Sequence, residues 1–247
     1  MPEDPLAALA ALPRVDAAVG SAREAVDRLL VNRVLRRRSE EVSAESALRG
    51  AWAAAVLSGA RVDLAALRSG DVADPVVQGA LRVSAELGPL AATWRRAPAQ
   101  VLARLHVLAA ADVVSDPALL GRPSADPVVV QRLGVLSETV ARTRAPAVVV
   151  AAVALGEILG LSAFSPSSVV VAFGAARLTL VEFGLDPKSL AVLEVGAVEQ
   201  RAALPGALDG YRSGSVDGLC AWVEHVARLV VLGSQEAAAI CAALERG

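Results

Sequence analysis

Between Ala147 and Gly184 the chain carries two apolar runs, AVVVAAVALGEILG and VVVAFGAARLTLVEFG, separated by a serine-rich break that spans Ser162 to Ser168. Each run has helical length and almost no charge, the pattern of a helix covered on most of its sides. The break therefore joins two core helices inside the molecule, a place where a loop is usually a site or the remnant of one.

Around this pair the apolar positions recur at helical spacing. Ser21 and Glu24 have capping-box spacing, which predicts a helix from about Ala22 to Arg38. Ser43 can cap the next helix, whose stripe is Leu48, Trp52, Ala55 and Val56, and Gly59 suits the left-handed residue past its end. Beyond Gly59, four Asp-Pro pairs, Asp74-Pro75, Asp116-Pro117, Asp126-Pro127 and Asp186-Pro187, are candidate helix starts, since Asp accepts the first free amides and Pro at the first position forfeits no bond. The predicted helices are Pro75 to Leu87, Pro98 to Val114, Pro127 to Arg142 and Pro146 to Gly160. After the central pair come Leu190 to Ala203, Val216 to Val231 and Gln235 to Glu245. Gly88-Pro89 is expected to break or kink the segment ending at Trp94. No run alternates with period two, and only the turn residues Gly121 and Pro123 admit a short hairpin near Leu120 to Ser124.

The expected fold is thus all-α, a multi-helix bundle around a central buried helix-loop-helix, with room for one β-hairpin flap. Composition agrees. In 247 residues, 55% are hydrophobic and only 3% aromatic, so the core is built of Ala, Val and Leu, as in tightly packed helices. There is no repeat and no low-complexity linker. Residues 1–42 are expected to form a helical extension to a main unit at 43–247, the two making one compact body.

Charge and cysteine usage narrow the partners. The formal net charge of -2 gives no overall field for nucleic acid. The dense basic cluster of Arg33, Arg36, Arg37 and Arg38 is followed at once by Glu40, Glu41 and Glu45, which reads as a solvated helix face, with a docking face for another protein as the alternative. Cys220 and Cys241 have neither CxxC spacing nor a histidine at ligand spacing, so buried free thiols are expected and no metal site. The start, MPEDPLAALAALPRVD, lacks the basic region of a signal peptide, which predicts a cytoplasmic protein. The stretch Ala147 to Phe164 is long enough to be weighed as a membrane span, but Gly156, Glu157 and Gly160 argue against it.

Residues that could carry chemistry are few. His106 shares a helix with Leu102, Leu105 and Leu108, and His225 follows Trp222 by three residues; both are expected to be structural, His106 through a backbone carbonyl. No GxSxG, HExxH, GxxxxGK or GxGxxG occurs. Glu157 is the one charge of the first apolar run, and Arg177 in the second is its expected ion-pair mate.

Three segments, taken together, resemble the Fic (Fido) family, whose members typically move AMP from ATP onto a protein hydroxyl. APAQVLARLHVLAAADVV resembles the family's helix ahead of its flap, with Leu105-His106 at the leucine-histidine pair and LLGRP at the flap's glycine and arginine. VVAAVALGEILGLSAFSPSSVVV resembles the helix, loop and helix that hold the signature HPFx[DE]GNGR. WAAAVLSGARVDLAALR resembles the segment that carries the inhibitory motif [ST]xxxEG in many members. The resemblance spans about Ser43 to Leu232.

Carried over by position, the resemblance implies that the catalytic histidine is replaced by Ser162, the proline by Ala163 and the magnesium-binding acid by Pro166, while Phe164 is kept and Ser165 fills the variable position. Ser167, Ser168, Val169 and Val170 stand for the glycine, asparagine, glycine and arginine that wrap the phosphates. Ser58 stands for the inhibitory glutamate, beside a retained Gly59. The implied function is a degenerate Fic-fold binding or scaffolding module, with an unidentified protein partner or a second copy of itself, and without nucleic acid, membrane or cofactor. The alternative is a nucleotide-dependent protein-modifying enzyme of altered chemistry that uses ATP and magnesium. Its nucleophile would be one of the four loop serines, with His106, His225 or Glu157 as base.

Overall fold

The computed structural model describes residues 4–246, which form twelve α-helices and no strand among the described residues. In chain order they are α1 (Ala7–Ala10), α2 (Pro13–Leu30), α3 (Ser39–Leu57), α4 (Leu64–Ser69), α5 (Pro75–Trp94) and α6 (Pro98–Ala110). They continue as α7 (Pro127–Arg142), α8 (Ala147–Gly160), α9 (Ser168–Glu182), α10 (Leu193–Glu199), α11 (Leu204–Ser213) and α12 (Val216–Arg246). Short 3-10 turns lie at Arg33–Arg36 and Pro117–Leu119.

The two apolar runs are α8 and α9, and they pack along each other as a helical hairpin at the centre. From Ala147 to Ile158 only Val153 is even half-exposed, and from Ser168 to Leu180 only Val169 is. Burying the Val, Leu and Ile side chains of α8 alone contributes on the order of 10 kcal/mol before conformational entropy is charged against it. The cover is supplied by α5, α6 and α3 on α9, and by α2, α7, α11 and α12 on α8. Small residues set the closest approaches. Gly174 of α9 lies against Val83 and Leu105, while Gly156 of α8 makes room for Tyr211 and Trp222. Where α10 crosses α12, Gly196 faces the backbone of Leu229, and Gly233 faces the backbone of Val192.

Several boundaries differ from the sequence reading, each for an identifiable reason. The stripe of Val15, Val19, Ala22, Val26 and Leu29 starts α2 at Pro13, so Ser21 is an interior residue whose Oγ donates to the Ala17 carbonyl at 3.1 Å. The helix then ends at Leu30, and Asn32 caps a 3-10 turn by accepting from the Val34 amide at 2.9 Å. Ser43 is likewise interior, because Glu40 and Glu41 already complement the first turn of α3. Asp74 and Asp126 cap α5 and α7 as expected, and Asp116 caps the Pro117–Leu119 turn. Asp186 starts no helix; it is buried and accepts from the Ala191 amide at 2.7 Å.

Pro89 does not end α5, because Ala91 and Trp94 beyond it are buried and the Trp94 Nε1 donates to Thr179 Oγ1 at 2.9 Å. Tertiary anchoring there outweighs the lost backbone bond. Of the predicted Leu190 to Ala203 helix only α10 forms, and α11 falls in a stretch for which no helix was predicted, whereas the last two predicted helices are one, since Gly233 serves the α10 contact and not a break. The expected hairpin near Leu120 to Ser124 is absent. Pro117 and Pro123 remove donors on both sides of Gly121, and the segment is pinned instead by the Ser124 amide, which donates to the Ala163 carbonyl at 2.8 Å. The helix of membrane-spanning length and composition is α12 rather than Ala147 to Phe164, and its apolar face packs against α2, α8, α10 and α11.

Gly233→Ala tests the crossing of α10 and α12, because a Cβ there would lie 2.5 Å from the Val192 carbonyl oxygen. It is expected to cost about 1–3 kcal/mol in urea denaturation. Gly20→Ala, inside α2 with open space around it, is expected to be neutral or stabilising by up to about 1 kcal/mol.

Candidate functional site

The turn between α8 and α9 is the place to look for chemistry, and it is held mainly by its own backbone. The Ser162 amide donates to Leu159 O at 3.1 Å, the Ala163 amide to Ile158 O at 3.1 Å and the Ser167 amide to Phe164 O at 2.8 Å. Ser162 sits at φ 48, the left-handed region that a non-glycine residue takes up when its neighbours fix it. Its side chain and that of Ser165 point outward and are exposed, whereas Ser167 and Ser168 are buried. Ser168 Oγ accepts from the Phe164 amide at 2.9 Å, so this hydroxyl closes the turn. Phe164 itself is 2% exposed. It packs on the His106 ring, 5.3 Å between centroids, and lines a cleft of about 280 Å³ walled by Leu102, Pro123, Val130 and Leu133. What the turn presents inward is an aromatic ring.

No base reaches the serines. His106 is 2% exposed and neither ring nitrogen has a hydrogen-bond partner, so the expected carbonyl bond is missing and the ring packs on Phe164 instead. Burial holds it below the usual histidine range, in the neutral form. His225 is stacked on Trp222 at 5.8 Å and is lowered for the same reason.

Glu157 is not paired with Arg177. Arg132 of α7 grips both its oxygens, and the Tyr211 hydroxyl donates to Oε1. Burial, reinforced by the Glu157 carboxylate, pushes the Tyr211 phenol upward, so it stays a donor. Arg177 turns the other way along the hairpin. Its Nε donates to Ser189 Oγ at 3.1 Å, its Nη2 to Ser189 O at 2.8 Å, and its Nη1 lies 3.7 Å from Glu194. Burial raises both Glu194 and the neighbouring Asp186. This buried cluster was missed because Glu194 lies in an apolar segment without any motif, and Asp186 sits in a pair that reads as a helix start.

The comparisons place this architecture. No protein-family model and no curated protein matches the sequence. Among solved structures, the chain is similar to the crystal structure of a Fic family protein from Desulfovibrio desulfuricans G20, at a TM-score of 0.77 over 93% of this chain and 75% of that one, with 14% identity. The fold is that of a Fic family protein.

The residues present at the turn do not fit the nucleotide and magnesium of the Fic reaction. A magnesium ion needs carboxylate or phosphate oxygens in near-octahedral array, and the turn offers hydroxyls, a proline ring and valines. No cluster of three or more His, Cys, Asp or Glu occurs among the described residues. The nearest carboxylate in sequence, Glu157, is fully engaged by Arg132 and Tyr211. None of the turn serines lines any of the four clefts described, and the roomiest of these, about 590 Å³, opens beside the first residues of α8, bordered by Arg95, Arg144 and Glu182. At the position that resembles the inhibitory motif, Ser58 closes α3 by donating to Ala54 O at 2.8 Å, and Gly59 takes φ 97 as expected. Cys220 and Cys241 are both buried free thiols.

His106 gives the molecule a pH dependence whose sign is fixed. Its folded form resists the proton that the unfolded chain accepts below about 6.5, so the unfolded state binds more protons there and stability falls as pH drops below that value. Asp186 and Glu194 act oppositely, because burial favours their protonated forms. Comparison of the wild type with His106→Phe in urea melts between pH 7 and 5, as set by the histidine window, isolates the histidine. The variant is expected to lose less stability on acidification.

Proposed function

We propose that this Fic-fold protein is catalytically degenerate and acts in the cytoplasm as a binding or scaffolding module for another protein. The observation that supports the reading is the turn itself, where Phe164 fills the inward side and no histidine, carboxylate or arginine among the described residues hydrogen-bonds to the serine hydroxyls. A positioned general base is worth about a hundred- to ten-thousand-fold in rate, so its loss alone would leave a slow enzyme. Nucleotidyl transfer depends chiefly on charge neutralisation and on positioning of the phosphates. Pro166 and Val170, at the places that resemble the metal ligand and the phosphate-binding arginine, can supply neither.

A serine nucleophile of another kind would require a proton acceptor within hydrogen-bond reach. His106 makes no hydrogen bond and meets the turn through the Phe164 ring, while Glu157 is held by Arg132 and Tyr211. With the transfer chemistry gone, an inhibitory glutamate has nothing to restrain, which accords with Ser58 serving as an ordinary helix end.

The test is incubation of the purified protein with labelled ATP, magnesium and a cell lysate. No protein-linked label above the background of the lysate alone is expected. Magnesium-dependent labelling that Ser162→Ala abolishes would overturn the reading.

A further inference from the structure

The cleft of about 590 Å³ lies at the other end of the central hairpin from the serine-rich turn, about 20 Å away along α8 at 1.5 Å per residue. Its size is within the range of small-molecule sites, about 300–1,000 Å³. Five charged side chains border it: Arg23 and Asp27 of α2, Arg95 at the end of α5, Arg144 ahead of α8, and Glu182 at the end of α9. None of the five makes an ion pair among the described residues, although both signs share one space.

Two of these charges stand where their own helix ends disfavour them. Arg144 is two residues ahead of the N-cap Pro146, beside the positive end of α8, whose first turn holds no acidic residue and whose cap makes no side-chain bond. Asp4 is bonded nearby, but its oxygens accept from the Thr143 hydroxyl and the Arg144 amide. Glu182 is the last residue of α9, at the negative end, with no basic residue in that turn. Arg95 links the two ends. Its Nη2 donates to the Thr143 carbonyl at 2.9 Å and its guanidinium lies 4.6 Å over the Phe183 ring, yet it does not close on the adjacent Glu182. A charge set against its helix end breaks a local rule of stability, and such breaks collect where a ligand supplies the missing partner.

An oxyanion against Arg95 and Arg144 and an ammonium against Glu182 would answer both ends at once. The balance of charge narrows the choice. Three guanidinium groups against two carboxylates leave one positive charge, which a phosphate monoester, of about two negative charges, neutralises when it also carries one ammonium. A free amino acid, neutral overall, would leave the surplus in place. A nucleoside triphosphate would overshoot it and meet Asp27 and Glu182 as like charges.

We propose that this cleft binds a small phosphorylated amine, with its phosphate on Arg95 and Arg144 and its ammonium on Glu182. The site is remote from the turn, so this proposal and the degenerate reading of the turn can fail separately.

Isothermal titration calorimetry of the full chain with O-phosphoethanolamine, inorganic phosphate and ethanolamine tests it. O-phosphoethanolamine is expected to bind about tenfold or more tighter than inorganic phosphate, as one added charged contact allows, and ethanolamine alone to give no heat. Arg144→Ala is expected to weaken O-phosphoethanolamine about tenfold or more. Glu182→Gln is expected to bring it down to the level of inorganic phosphate, which itself is held as tightly as before or tighter. Both variants are expected to melt at or above the wild-type temperature, because each removes a charge that its helix end opposes, so lost binding is not lost folding. Phosphatidylethanolamine vesicles are expected to leave the protein in the supernatant, which separates a free monoester from a lipid headgroup. No heat with O-phosphoethanolamine, inorganic phosphate bound as tightly by the wild type, indifference to Arg144→Ala or Glu182→Gln, a lowered melt in both variants, or sedimentation with the vesicles would each overturn the proposal.

Discussion

A helix without a polar face is stable only where other helices cover it on every side, and α8 and α9 are two such helices joined end to end. That requirement organises the molecule. Neither helix can lie on a surface, so the hairpin must be central and the remaining helices must form a shell. Glycines appear where the shell comes nearest, at Gly156 under Tyr211 and Trp222 and at Gly174 under Val83 and Leu105. The buried tryptophans place their one polar atom on a partner within the same frame, Trp222 Nε1 on the Ala152 carbonyl and Trp94 Nε1 on Thr179. A buried N–H without an acceptor would cost about 1–3 kcal/mol, so these bonds fix where α12 and α5 dock on the hairpin.

The same requirement decides where the two charges of the hairpin go. Glu157 and Arg177 lie on different helices in the core and look like natural mates, yet each solves its own desolvation locally. Glu157 lies near the end of α8, where Arg132 can keep its head half in water while its fork closes on both carboxylate oxygens. Arg177 is 3% exposed and gives most of its donors to Ser189, in the segment that leads out of α9. Its contact with Glu194 is long, at 3.7 Å, and Glu194 is raised by burial, so the backbone bond carries more of the arrangement than the ion pair does. Sequence pairing by proximity of two apolar runs ignores direction along the helix, and that is why it chose the wrong mate.

The existence of the helices was legible in the pattern, and their ends less so. Asp74 and Asp126 were readable because capping by Asp and Pro is a local bond that the next three residues complete. Pro89 and Gly233 misled because what happens there is decided by contacts far along the chain, with Thr179 in one case and Val192 in the other. The hairpin flap failed for a similar reason, since the acceptor of the Ser124 amide is Ala163, on the turn between the core helices. Of the candidate site, the kept Phe164 and the serine-rich turn were visible in sequence, and Gly59 took the left-handed conformation assigned to it. That the ring would point inward onto His106 was not visible, because no periodicity describes a turn.

Fold and chemistry are separable in this architecture because the turn takes little part in holding the hairpin. Its hydrogen bonds run within itself or to the last turn of α8, and the one to the flap segment uses the Ala163 carbonyl, a backbone group that any residue supplies. Ser168 Oγ closes the turn on the Phe164 amide without involving a neighbouring helix. The side chains at Ser162, Ser165 and Pro166 are exposed and can change without disturbing the core. Two turn side chains enter the core, Ala163 and Phe164, and the larger of them, Phe164, is the position at which the resemblance to the Fic signature is retained. A residue that fills space is constrained by packing whether or not catalysis continues, whereas a base or a metal ligand is constrained only by the reaction it serves. On the proposed reading, an aromatic ring kept beside polar positions that differ from the signature is the pattern expected when packing alone governs the turn.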